Sequence, residues 1–96
     1  MISVNLVATD TYEVVIGSET ETRHRVHMSQ QYYRKLCGGT VTHEWVIMQA
    51  FRFLLEREPN TDILIEFELE VISSYFPEFE ADLKGRLGYS ESATSD

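Results

Sequence analysis

Thr42-His43-Glu44-Trp45-Val46-Ile47-Met48-Gln49-Ala50-Phe51-Arg52-Phe53-Leu54-Leu55-Glu56-Arg57-Glu58-Pro59 is the segment around which the rest of the chain has to be arranged. Thr42 is a helix N-cap residue, because its hydroxyl can accept from an otherwise orphaned backbone N–H of the first turn. From His43 to Arg57 the apolar positions Trp45, Val46, Ile47, Met48, Ala50, Phe51, Phe53, Leu54 and Leu55 cover nearly the whole circumference. A helix apolar all round must be enclosed rather than laid on a surface, so this one is expected at the centre of the molecule. Pro59 stops it, since the residue before a proline is pushed out of the helical region.

Upstream the periodicity changes from helical to two. Ile2, Val4, Leu6 and Ala8 alternate along one strand face, and Tyr12, Val14 and Ile16 along a second, with Thr9-Asp10 supplying turn chemistry between them. After the polar connection Gly17 to Glu21, a third run places Thr22, His24, Val26 and Met28 on one side. Connections this short cannot cross over between parallel strands, so the expected arrangement is an antiparallel meander. Ser29 then caps a short helix from Gln30 to Leu36, which packs through Tyr32, Tyr33 and Leu36 and ends at Gly38-Gly39.

Downstream, residues 60–75 admit two readings. Ile63, Ile65, Phe67, Leu69 and Val71 keep strict period two and argue for a strand, while Leu64, Phe67, Val71 and Tyr75 line up at helical spacing behind Asn60 or Thr61 as a cap. Pattern alone leans towards the strand. Pro77 suits the first position of a last helix that turns Phe79 and Leu83 inward and ends at Gly88. One α+β domain over residues 1–88 follows: a three-stranded antiparallel β-meander, then a helical C-terminal half packed on one sheet face. A flexible polar tail is expected over 89–96.

Phe51-Arg52-Phe53-Leu54-Leu55-Glu56-Arg57-Glu58-Pro59 and Tyr75-Phe76-Pro77-Glu78, with Ile63-Leu64 and Phe67 between them, resemble a family of small uncharacterised bacterial proteins carrying FLLERE-P and YFPE elements. The resemblance runs over residues 22–85. It implies a short meander before a helical half, and two short helices over 60–75 meeting near Glu68, although Glu70 stands where a short capping residue would be expected. It implies no activity and no catalytic residue.

Charge is distributed unevenly. Residues 1–55 carry five acidic and five basic side chains, whereas 56–96 carry eleven acidic against three basic, so the net charge of −8 belongs to the C-terminal part. Such a half cannot clamp phosphates, and no nucleic-acid partner is expected. A hydrophobic content of 43% is enough for a packed core. Without an apolar run approaching about 18 residues, a positively charged leader or a second cysteine, the chain reads as a cytoplasmic protein with no membrane partner.

Candidate chemistry is sparse. His24 and His27 point to opposite faces of a strand, and the position four after His43 is Ile47 rather than a second ligand, so no metal or other cofactor is expected. Cys37 ends a helix, where the dipole opposes a thiolate, and reads as a small buried hydrophobe. The carboxylate pairs Glu56 with Glu58 and Glu78 with Asp82 lie in an unbroken acidic district rather than in the unlike environments acid–base catalysis needs. Arg23, Arg25 and His27 form a basic stripe that reads as the polar side of an edge strand; joined by Arg34 and Lys35, it could instead dock an acidic surface. The expected function is a non-enzymatic interaction or accessory role, in which Glu66, Glu68, Glu70, Glu78, Glu80 and Asp82 meet a basic protein partner. Two alternatives stand beside it: a small regulator or antitoxin-like inhibitor of a basic protein, and a small enzyme or ligand-binder with a pocket between sheet and central helix near Trp45 and Tyr33. Homodimerisation is compatible with the sheet edges and the aromatic content.

Overall fold

Strands β1 (Ile2–Ala8), β2 (Thr11–Ile16) and β3 (Thr22–His27) follow one another as the antiparallel meander that the alternation predicts, in a computed structural model that describes residues 1–89. Apart from Tyr89, the expected polar tail lies outside the described residues. Asp10 makes the first turn in the left-handed region (φ 53), and its carboxylate accepts from the Gln30 side-chain amide at 2.8 Å. Ile2 lies opposite Ile16, Val4 opposite Val14 and Leu6 opposite Tyr12. Tyr12, Val14, Ile16, His24 and Val26 are buried on that face, while Arg23 and Arg25 are exposed on the other.

Two helices follow and cover the apolar face. The N–H of Tyr32 donates to the Ser29 hydroxyl at 3.1 Å to start α1 (Gln30–Cys37), and that of Trp45 to the Thr42 hydroxyl at 3.1 Å to start α2 (His43–Leu55). Val46, Ile47, Ala50, Phe51, Phe53 and Leu54 of α2 are buried, as an all-round apolar helix must be; Met48 and Leu55 are half-buried and Trp45 is 44% exposed. Gly38 closes α1 with φ 63, and a Cβ there would come within 2.7 Å of the Tyr89 ring. Glycine is therefore favoured at this position by both backbone conformation and space.

The segment after Pro59 corrects two expectations. It is neither one strand nor two helices meeting near Glu68. A 3-10 turn at Asn60–Asp62 leads into an extended stretch, the short strand β4 (Glu66–Glu68), a second 3-10 turn at Leu69–Val71 and then α3 (Ile72–Tyr75). Among the described residues the sheet consequently has four strands, not three, in the order β1-β2-β3-β4, with β4 parallel to β3. Period two is a local signal, whereas this pairing is made across the α1–α2 crossover that a parallel neighbour requires.

Buried polar groups hold β4 in place. Nδ1 of His24 lies 2.7 Å from the Leu64 carbonyl, which can only accept, so that nitrogen carries the proton. Its Nε2 then accepts from the Thr22 hydroxyl at 2.9 Å. Thr22 accepts in turn from the Asn60 amide at 2.9 Å, and the same amide donates to the Thr20 carbonyl at 2.8 Å. The last helix, α4 (Phe79–Leu87), begins at Phe79 rather than at Pro77 and ends at Gly88 (φ 71). Phe79 and Leu83 are fully buried against the core, as their spacing predicts. Among the described residues no helix is long and apolar enough to cross a membrane.

Candidate binding cleft and the acidic surface

Side chains more than twenty residues apart meet where α2 ends, and they divide the acidic district into two parts. The guanidinium of Arg57 stacks 3.5 Å from the centre of the buried Phe53 ring. From there it donates to Glu78 at 3.3 Å and to the Phe53 carbonyl at 3.1 Å, with Asp82 3.9 Å away. Arg86 forks onto both oxygens of Glu56 at 2.6 and 2.8 Å and donates from Nε to Asp82 at 2.5 Å. Those hydrogen bonds hold the Glu56 carboxyl below the usual carboxylate range and push the Arg86 guanidinium up. Glu80 accepts from the Tyr32 hydroxyl at 2.9 Å and pairs with Lys35 at 3.2 Å. Burial, then this bond to Glu80, raises the Tyr32 phenol.

Of the six carboxylates expected to form a partner-binding surface, Glu78, Glu80 and Asp82 are thus held by bases of the same chain. Glu66 lies 2.8 Å from Nε2 of His27. The basic stripe is also engaged internally: Arg23 reaches Glu13 at 3.5 Å and Glu21 at 3.6 Å. Parallel pairing sets Glu66 beside Arg25 and Glu68 beside His27, so acid and base alternate across the outer sheet face. Of the six, Glu68 and Glu70 are exposed and make no ion pair among the described residues, although Glu68 has His27 as its neighbour in the ladder.

Two further carboxylates of the acidic half, the half-buried Glu58 and the exposed Asp62, also lack an ion pair among the described residues; the sequence offers Glu58 only as a carboxylate pair with Glu56 and does not single out Asp62. A signal was present. They flank Pro59, where the helix has to stop, so both leave the surface that carries Arg57. They stand on the rim of a cleft of about 190 Å³ between the end of α2, β4 and α3, floored by Leu54, Ile63, Phe67 and Ile72. Leu64 and Tyr75 line it too and are 47% and 65% exposed. Partial burial first, and then the negative charge of Asp62, push the Glu58 carboxyl up. No base offsets that charge among the described residues.

An apolar floor under paired carboxylates can take an apolar group that carries a positive charge. At 190 Å³ the cleft is smaller than the roughly 300–1,000 Å³ typical of cofactor and drug-sized ligand sites, and it suits one large side chain. The remaining candidate groups are used structurally. Cys37 is fully buried, with its thiol 3.5 Å from the Tyr33 carbonyl. Tyr33 stacks on His43 with ring centres 3.7 Å apart and donates its hydroxyl to the Val41 carbonyl. The depression at that end of the molecule is lined by the β1–β2 turn, Gln30, His43 and Glu44 rather than by Tyr33 or Trp45. No family model, curated protein or solved structure matches the chain closely enough to carry an inference.

Proposed function

We propose that the chain is a non-enzymatic interaction protein whose cleft at the end of α2 takes one apolar side chain from a basic segment of a partner protein. One observation carries this reading: within the acidic C-terminal half, Glu58 and Asp62 line the apolar cleft with no ion pair among the described residues, whereas Glu56, Glu78, Glu80 and Asp82 are matched by bases of the same chain. Charge complementarity sets the sign of the partner, and the cleft volume sets the size of its anchor.

Titration calorimetry with synthetic peptides containing Leu or Phe flanked by Lys and Arg tests the proposal. Binding should weaken at least tenfold in the double variant Glu58→Gln/Asp62→Asn and fall away for peptides with Glu in place of the bases. Neutralising Glu78 and Asp82 should leave binding intact and lower stability instead. Equal binding of acidic and basic peptides, or loss of binding only through Glu78 and Asp82, would refute the assignment.

A further inference from the structure

Independently of the cleft, the free edge of β1 carries an inference about self-association. The two outer edges of this sheet are built differently. β4 is three residues long and has a glutamate at each end, the usual means of keeping an edge from pairing. β1 runs for seven residues, Ile-Ser-Val-Asn-Leu-Val-Ala, with no charge and no proline. It also sits at the end of the strand order, with no neighbour on one side among the described residues.

Which backbone groups face outward follows from the ladder. The nitrogen and carbonyl of Met1 both bond Gly17, at 3.1 and 2.8 Å, so that opposed pair exchanges both of its hydrogen bonds. Such pairs alternate in an antiparallel ladder, so Ser3 and Asn5 also bond inward to Val15 and Glu13. Ile2, Val4 and Leu6 therefore direct their N–H and C=O groups away from β2. Their side chains belong to the helix-covered face, since they oppose the buried Ile16, Val14 and Tyr12. Leu6 is nevertheless 59% exposed there, and Val7 beside it 46%.

We propose that β1 pairs with β1 of a second copy of this chain, antiparallel about a two-fold axis at Val4, to give a continuous eight-stranded sheet. In that register Val4 faces Val4, and Ile2 of each copy faces Leu6 of the other, so every outward donor meets an outward acceptor in about six hydrogen bonds. The axis keeps both helical layers on one side of the sheet and lays the exposed Leu6 against the other copy's Ile2. Electrostatics permits the contact. Residues 1–55 are formally neutral, and β4 with its glutamates lies three strand spacings away, about 14 Å, beyond the Debye length of about 8 Å in physiological salt.

Sedimentation equilibrium of the full chain across micromolar concentrations is the test, with amide exchange as the local readout. A dimer is expected, with slowed exchange at Ile2, Val4 and Leu6 as concentration rises. Leu6→Lys sets an ammonium at an exposed seam position and should weaken association at least tenfold without unfolding the monomer. Val4→Pro removes an outward N–H that the β1–β2 ladder does not use and should do the same. A wild-type chain that stays monomeric, a dimer that survives both substitutions, or open-ended aggregates instead of a closed pair would each overturn the proposal.

Discussion

Replacing Phe53 by leucine should cost about 3 kcal/mol, because one ring supports three neighbours. The ring is fully buried and packs edge-on against Phe79 and Phe76, with centres 5.1 and 5.8 Å apart. Each such pair is worth about 1 kcal/mol beyond the area it buries. Stacking of the Arg57 guanidinium at 3.5 Å adds about 0.5–1 kcal/mol at a partly exposed site. Leucine refills most of the volume, so the residual cavity adds less than about 1 kcal/mol. For a domain of this size, with a total stability of roughly 5–14 kcal/mol, such a loss lowers Tm by about 12–24 °C. Urea unfolding followed by circular dichroism measures it as a shift in midpoint at unchanged slope. A double-mutant cycle with Arg57→Met isolates the stacking and should return about 0.5–1 kcal/mol of coupling. A loss below about 1 kcal/mol with no coupling to Arg57 would refute the view that the aromatic cluster positions the arginine.

Two other substitutions probe the positioning of β4 and the acidic rim. Asn60→Ala removes the buried amide that donates to Thr20 and Thr22, and should cost about 2 kcal/mol by urea unfolding. The Arg25 N–H, which donates to the Ile65 carbonyl at 2.7 Å, should exchange faster while the β1–β2 ladder stays protected; uniform acceleration would contradict a local role. Glu58→Gln should raise Tm at neutral pH. Its carboxyl is raised above the ordinary 4.5, so the folded chain binds the proton more tightly than the unfolded one, and stability from this group is lost as pH rises through the window just above that value. The advantage of glutamine should therefore vanish by about pH 3, where both states of the wild type are protonated; an advantage that persists there would show that charge is not its cause.

How far residues could be read before folding depends on the range of the interaction concerned. Thr42, Ser29 and Gly38 cap their helices as anticipated, because a cap is a contact within one turn. The alternation of Ile2, Val4 and Leu6 against Tyr12, Val14 and Ile16 predicts the meander, since a short turn fixes the register. His24 and His27 separate to opposite faces by the same period. In contrast, the period-two run from Ile63 to Val71 spans more residues than the three that pair in β4, and their partner is reached only through the α1–α2 crossover. The candidate acidic surface is divided into paired and unpaired carboxylates for a related reason. Composition records how many carboxylates there are, but not that Arg86 folds back onto Glu56 or that Lys35 meets Glu80.

By itself, the order of residues determined the α+β class, the three-stranded meander, both capped helices and the burial of the long one. These follow from steric and hydrogen-bonding preferences acting over a few neighbouring residues. Tertiary structure alone decided the fourth strand, the proton position on His24, and which negative charges keep an internal partner. Those depend on groups brought together from distant parts of the chain, where desolvation and geometry determine which pairs form. Glu58 and Asp62 were left over by that selection, and the cleft they border exists only once α2, β4 and α3 have packed.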